Sequence, residues 1–128
     1  MLQVLQKLSL LALMGAIGTL VRYGLGGFVQ AHCGKIFPWG TVVVNLSGCL
    51  LFGIVWSSLE ERWPTSGETR AIILVGFMGA FTTFSTFMFE TERLLRDAEW
   101  WPALGYFTIH NVGGLAALVA GLAVGRFL

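Results

Sequence analysis

Apolar side chains and glycines fill four long stretches of the chain, and charged side chains lie almost entirely outside them. These apolar windows are residues 8–31, 36–59, 71–89 and 100–125. A helix needs roughly 20 residues to cross a hydrocarbon core about 30 Å thick. No window alternates polar and apolar positions with a period of two, so a transmembrane β-barrel is excluded. The pattern predicts an all-α membrane protein with four transmembrane helices in one domain, residues 1–128.

The composition agrees with this prediction and limits the chemistry available to the chain. Hydrophobic residues make up 55% of the 128 residues and charged residues 12%, whereas about a quarter of the residues in soluble domains are charged. Connections and termini hold about 35 residues, too few for a soluble catalytic domain. The sequence has no Ser/His/Asp or Cys/His arrangement with a plausible shared site, no metal-ligand cluster and no phosphate loop. An enzyme is the least expected class, and we expect the function inside the bilayer.

Basic residues are divided almost evenly between the two membrane sides that four spans create. One side carries Lys7, Arg62, Arg70 and Arg126, and the other carries Lys35, Arg93 and Arg96, joined by Arg22 if that residue leans toward it. A bias in Lys and Arg orients membrane proteins, so near parity favours insertion in both orientations and antiparallel pairing of two copies. Parity by chance is the alternative in a chain with eight basic residues.

Small residues recur at every fourth position of the last window, at Gly113, Ala117, Gly121 and Gly125. Such a face lets another helix approach closely in lipid. The sequence does not decide whether that helix belongs to the same chain or to a partner.

Arg22 is the one formal charge inside a window, and it lies between Gly18 and Gly26 on one helical face. Two interpretations stay open: the side chain snorkels to the interface, or it places a fixed positive charge at an aqueous vestibule that concentrates anions. The window continues past Arg22 without an A-x-A-like cleavage site, so we expect a mature helix and not a signal peptide.

The second window places Thr41, Asn45 and Gly48 on one helical face. The Asn45 amide offers N–H donors, and two roles are open for it. It bonds to a neighbouring helix, as polar residues in helix bundles often do, or it faces a polar path.

The third window carries four hydroxyl residues in five positions, after Gly76 and Gly79. These residues weaken a continuous helix, so the pattern predicts a break near residues 79–85, which is tolerated only under protein or beside a water-filled cavity. Free carbonyls at such a break bind cations, and free N–H groups bind anions. Phe84 and Phe87 follow at helical spacing and either pack or present electropositive ring edges to an anion path. Spacing alone does not choose between these two roles.

With these motifs in place, the chain resembles the Fluc family, also called CrcB, of small bacterial fluoride channels. The resemblance covers nearly the full length. It rests on the chain size, the four spans, Gly-x-x-x-Arg at 18–22, Trp-Gly-Thr-x-x-x-Asn-x-x-Gly at 39–48, Thr-Thr-Phe-Ser-Thr-Phe at 82–87 and Tyr106.

The resemblance implies passive fluoride export by an antiparallel homodimer in the bacterial inner membrane, with two pores and a structural Na⁺ at its centre. By position, Asn45 donates to fluoride, Phe84 and Phe87 contact it edge-on, and Ser85 and Thr86 add hydroxyl donors.

Other residues follow from the same resemblance. The backbone carbonyls of Gly79 and Thr82 hold the Na⁺, and Arg22 looks into a vestibule. A polar track continues through Thr41, Tyr106 and Glu90, although Glu90 has the alternative of simply ending the span in water.

Two positions depart from the family pattern, and they affect the proposed break and the polar track. Ala80 stands where relatives often have a second glycine, and His110 stands where they tend to carry a small hydroxyl residue. For His110 an interhelical hydrogen bond is the simpler expectation and a pH-sensing role is the alternative.

Two competing functions are also compatible with a short four-span chain. A proton-coupled exporter of cationic drugs needs a membrane-embedded carboxylate, for which Glu90 is the nearest candidate, at the end of a span. A non-transporting assembly subunit fits the glycine face of the last window but not the hydroxyl cluster of the third.

Overall fold

The computed structural model describes residues 2–34, 36–61 and 65–127. Within these ranges the chain is helical and has no strand. Four helices are long and apolar enough to cross a membrane: span 1 is Gln3–Cys33, span 2 is Trp39–Glu61, span 3 is Gly67–Arg96 and span 4 is Trp100–Gly125. The predicted all-α class and the four membrane-spanning segments are confirmed. Lys35 and Arg62, two of the residues in the charge comparison, lie outside the described residues.

Spans 1 and 2 are single α-helices, α1 (Leu2–Cys33) and α2 (Trp39–Glu61). Span 3 contains α3 (Gly67–Ala71), a π-helical segment (Ile72–Met78), α4 (Gly79–Phe81) and α5 (Phe84–Arg96). Span 4 contains α6 (Trp100–Thr108), a second π-helical segment (Ile109–Gly113) and α7 (Gly114–Gly125).

The helix ends follow from local chemistry. Gly34 has a φ of +101°, a conformation that glycine adopts without steric cost, and it ends α1. Ser66 caps α3 by accepting a hydrogen bond from the backbone N–H of Thr69 at 3.2 Å. Ala98, with a φ of 60°, turns the chain between α5 and α6. Span 3 therefore extends beyond its apolar window on both sides, because caps and turns fix its ends.

Glycines bring spans 2 and 4 into backbone contact. A Cβ atom at Gly121 would collide with the carbonyl oxygen of Leu50, and one at Gly125 would lie 2.6 Å from the carbonyl oxygen of Ile54. Gly53 approaches the carbonyl oxygen of Leu118 from the other side. The small-residue face of the last window thus meets span 2 of the same chain.

Span 1 packs on spans 2 and 3 through its own glycines. A Cβ at Gly18 would lie 2.5 Å from the carbonyl oxygen of Phe77, and Gly26 contacts Gly40 directly. Only 6% of the most apolar part of this span is buried within the chain. The rest of its apolar surface is available to lipid or to another protein.

Buried side chains form one core where spans 2, 3 and 4 meet. Its members are Val42, Phe87, Leu94, Ala103 and Tyr106. This core fixes α5 against α6, and it sets the position of the polar residues described next.

Candidate functional site

The helical conformation of span 3 stops at Phe81 and begins again at Phe84. Between them Thr82 (φ −88°, ψ 160°) and Thr83 (φ −146°, ψ 116°) are extended. Asn45 of span 2 bonds to the backbone of Thr83 twice: its Nδ2 donates to the carbonyl oxygen at 2.9 Å, and its Oδ1 accepts from the N–H at 2.8 Å. These two bonds satisfy peptide groups that the interruption removes from the helical ladder.

The contact with Thr83 is an interhelical hydrogen bond, one of the two roles that the sequence left open for Asn45. It leaves one N–H group of the amide unused. The amide nitrogen carries two hydrogens, and its bond to Thr83 uses one of them. Asn45 also lines a cavity, so it combines a structural contact with a position beside open space.

The cavity beside Asn45 has a volume of about 220 Å³ and lies where spans 2, 3 and 4 meet. Its walls are Asn45, Cys49, Thr82, Thr83, Phe84, Phe87, His110 and Asn111. The Phe84 and Phe87 rings are 5.7 Å apart at an interplanar angle of 61°, so the edge of one ring faces the other. Phe87 is 3% exposed and belongs to the core, whereas Phe84 is 73% exposed on the surface of the single chain.

A second cavity, of about 360 Å³, lies on the other side of Thr83. Arg22, Thr41, Thr83 and Thr86 are among its walls. The Thr83 hydroxyl accepts from the N–H of Thr86 at 3.3 Å and donates to the Thr86 hydroxyl at 2.9 Å, which leaves the Thr86 proton available to other partners. Ser85 is exposed on the surface of the single chain.

A third cavity, of about 340 Å³, shares Thr41 with the second and contains Glu90 and Arg93. The hydroxyl of Tyr106, which is fully buried, donates to Oε2 of Glu90 at 2.5 Å. Thr41, Tyr106 and Glu90, the three residues predicted to form a polar track, therefore lie in one neighbourhood.

Gly79 and Thr82, the predicted Na⁺ ligands, line a fourth cavity of about 230 Å³. The Thr83 N–H donates to Asn45 and not to the carbonyl of Gly79 four residues before it. Likewise, the Thr86 N–H donates to the Thr83 hydroxyl and not to the carbonyl of Thr82. Backbone carbonyls released from helical bonding are oxygen ligands suited to Na⁺, so the local chemistry fits this ion.

His110 lines the cavity beside Asn45 and bonds to a carbonyl group of its own span. Its Nδ1 lies 3.0 Å from the carbonyl oxygen of Tyr106 in its own helix, so this bond is not interhelical. Among the described residues its buried Nε2 has no hydrogen-bond partner. The ring stacks on Phe87 with centroids 4.4 Å apart and an interplanar angle of 24°.

Sequence reasoning did not single out Thr83, Cys49 or Asn111 as parts of these cavities. The hydroxyl run contained Thr83, but nothing in the run identified it as the partner of Asn45. That contact joins residues 38 positions apart, and no local pattern encodes it.

The chain is similar in sequence to known proteins over nearly its full length. A family model described as "CrcB-like protein, Camphor Resistance (CrcB)" matches residues 9–122. A protein of Solidesulfovibrio magneticus is 52% identical over 124 residues, which are 97% of this chain and 99% of the relative. One of Nitrosococcus oceani is 52% identical over 123 residues (96% and 98%), and one of Desulforapulum autotrophicum is 49% identical over 122 (95% and 98%). Each of the three is named "Fluoride-specific ion channel FluC".

Proposed function

Because this chain belongs to the CrcB family, we propose that it is a fluoride-selective ion channel that passively exports fluoride from the cytoplasm. The observation that carries the proposal is the near-complete match to relatives named as fluoride-specific channels, at about half identity. Hydrogen fluoride crosses lipid as a neutral molecule and dissociates in the more alkaline cytoplasm. A pore then lets the trapped anion leave down its electrochemical gradient, so no energy source is required.

The cavity beside Asn45 supplies the chemistry for a small anion that must give up its water. The second Asn45 N–H is a donor, and the edges of Phe84 and Phe87 carry partial positive charge. In this path Asn45 donates to fluoride and the two rings contact it edge-on. Thr86, in the neighbouring cavity, and Ser85, at the surface of the single chain, add hydroxyl donors. These groups replace the water molecules around the ion one at a time. Each contact is weak enough for the ion to leave again, and together the contacts provide selectivity.

Arg22 and the polar track extend the path away from this cavity. Arg22 lines the neighbouring cavity and attracts anions toward it as a vestibule charge. Thr41 lies on both this cavity and the one that contains Glu90, so it connects the two. In the proposed track Tyr106 holds the Glu90 carboxylate by its hydroxyl and keeps that negative charge fixed at one side.

The extended residues Thr82 and Thr83 constitute the helix break, and we assign it to the middle of the membrane. The break supports the pore because it opens space beside Asn45. The adjacent carbonyls of Gly79 and Thr82 are the proposed ligands of a structural Na⁺ at the dimer interface. When bound, this ion supplies positive charge that holds the two interrupted helices of the dimer together.

The functional unit in this proposal is an antiparallel homodimer with two pores in the bacterial inner membrane. Near parity of basic residues on the two sides supports dual topology. The exposed apolar surface of span 1 and the 73% exposure of Phe84 provide surface for a second copy to cover. A pore wall made by both copies explains why a pore phenylalanine lies at the surface of a single chain.

The relatives and the site do not favour the alternative of a proton-coupled drug exporter. Glu90, its candidate coupling carboxylate, accepts a hydrogen bond from the buried Tyr106 hydroxyl and lies toward one end of span 3. The relatives are named as channels, not as exporters or enzymes.

A growth assay tests export in cells. A bacterium that lacks its own fluoride exporter is transformed with the gene for this chain and grown in fluoride. We expect growth at fluoride concentrations at least about tenfold above those that stop the empty-vector strain, because the cytoplasmic anion is released. Unchanged fluoride sensitivity, with the protein detected in the membrane fraction, contradicts the proposal.

A further inference from the structure

His110 occupies a wall of the cavity beside Asn45 but has no role in the path described so far. Its ring packs between two aromatic side chains, stacked on Phe87 and edge-on to Tyr106, with both centroids 4.4 Å away. The residue lies in the π-helical segment Ile109–Gly113. Its side chain is therefore held in place by its neighbours.

The hydrogen bond of the ring fixes its tautomer. The carbonyl oxygen of Tyr106 only accepts, so Nδ1 at 3.0 Å must carry a hydrogen. In neutral His110 the Nε2 atom then has a lone pair and no proton. Protonation adds an N–H at Nε2, the buried atom that lacks a partner among the described residues, and makes the ring positive.

Stacking couples this charge to Phe87. A cation over the face of a phenyl ring is attracted by the electron-rich face, and it increases the positive character of the ring edge. Phe87 also lines the cavity. Protonated His110 therefore acts on an anion in the cavity directly, as a nearby charge, and indirectly, through the ring edge of Phe87.

We propose that His110 is a proton-linked affinity residue, which strengthens anion binding in the cavity beside Asn45 when its imidazole is protonated. This inference rests on the proposed function, and it adds a dependence of conduction on pH. Fluoride therefore occupies the cavity more readily at acidic pH. Acidic surroundings are also the condition in which more hydrogen fluoride enters the cell.

Within the part of the chain that the structure describes, titratable groups approach the ring from α2, α5 and α6. Glu90 of α5 accepts a hydrogen bond from Tyr106, whose ring is edge-on to His110, so the carboxylate lies close to the imidazole. Tyr106 contacts it from the same span, and Cys49 of α2 lines the same cavity. Protonation of the imidazole is the change that we expect to alter the electrostatic field at this wall of the cavity.

Fluoride efflux from liposomes measures the effect, with the same pH inside and outside and fluoride kept at low concentration. Efflux from protein-free liposomes is subtracted at each pH to remove leakage of hydrogen fluoride. We expect the wild-type rate to rise roughly tenfold as the pH is lowered from about 8 to about 5, because protonation of His110 adds a positive charge beside the cavity. The His110→Gln variant should lose this rise.

His32 provides the matched control. Its Nδ1 also lies near a carbonyl in its own helix, that of Phe28 at 2.7 Å, but the side chain is exposed at the end of span 1. The His32→Gln variant should keep the wild-type pH dependence. A wild-type rate that does not change with pH, or a His110→Gln variant that keeps the rise, overturns the inference.

A second measurement uses the unmodified protein, so it does not depend on how the variant folds. The chain has two histidines, and ¹⁵N-histidine labelling with the His32→Gln variant for assignment separates their signals. Added fluoride at constant pH should increase the protonated fraction of His110, because linkage is reciprocal. An unchanged fraction overturns the inference. Absence of fluoride efflux at every pH contradicts the proposed function instead, and the labelling experiment still decides the role of His110.

Discussion

Asn45 joins span 2 to the interrupted backbone of span 3 through both ends of its amide. A donor and an acceptor on one side chain match the carbonyl and the N–H of Thr83, at 2.9 and 2.8 Å. An aliphatic residue leaves both peptide groups without these partners, and an aspartate lacks the donor. The same residue type is thus suited to holding the interruption and to offering its second N–H to an anion.

Replacing Asn45 with alanine tests both roles. We expect fluoride efflux from liposomes to fall to the level of protein-free liposomes, and the free energy of unfolding to decrease by about 2 kcal/mol through the two lost bonds. The control is Asn111→Ala, because Asn111 lines the same cavity but bonds to the carbonyl of Phe107 in its own helix. Equal efflux from the two variants contradicts the role of Asn45.

At the scale of single residues, the sequence predicts which residues belong to the candidate site better than it predicts which residues they contact. Helical spacing puts Thr41, Asn45 and Gly48 on one face without any knowledge of the fold. It does not predict that Asn45 bonds to Thr83 or that His110 stacks on Phe87, because both contacts depend on how separate spans pack.

Close helix packing is the main feature at the scale of elements. Spans 2 and 4 approach until the backbone of Gly121 meets that of Leu50, a distance that no side chain permits. This contact holds span 2, and with it Asn45, beside the cavity. Packing of this kind replaces the hydrophobic driving force that lipid removes.

A methyl group at Gly121 should separate the two spans. We expect Gly121→Ala to lower the free energy of unfolding by roughly 1–3 kcal/mol, the usual cost of overpacking. Gly105→Ala is the matched control in the same span, because a Cβ there meets nothing within 4 Å. Chemical denaturation in detergent measures both, and similar stabilities for the two variants contradict this packing account.

The number of spans and their approximate positions follow from apolar length, because the thickness of the bilayer sets it. The ends of the spans do not follow from apolar length. α5 runs to Arg96, seven positions past the last residue of its apolar window, with an ion pair between Glu92 and Arg96 on its surface. The π-helical segments Ile72–Met78 and Ile109–Gly113 have no evident signal in the sequence.

The whole molecule leaves an unusual amount of apolar surface uncovered. Span 1 is nearly unburied in the single chain, and Phe84 lies at the surface. An antiparallel second copy accounts for both features in the proposed dimer. The sequence supports that arrangement through its balance of basic residues and through its resemblance to the Fluc family. Dimer contacts depend on the shapes of two folded surfaces and are not readable from one chain.

Cys33 permits a direct test of dual topology. It is exposed at the end of span 1, whereas Cys49 lies within span 2 and is replaced by serine so that a single thiol remains. In intact cells a membrane-impermeant thiol reagent should label about half of the Cys33 that it labels after permeabilisation, because both orientations coexist. Complete labelling or no labelling in intact cells contradicts dual topology.

We expect the cavity beside Asn45 to conduct fluoride in preference to other halides. The most direct measurement uses liposomes that contain the purified chain and are loaded with equal fluoride and chloride, with an ion-selective electrode for each anion. We predict rapid fluoride efflux while chloride efflux stays at the level of protein-free liposomes. Equal efflux of both anions, or no fluoride efflux above that level, would contradict the account.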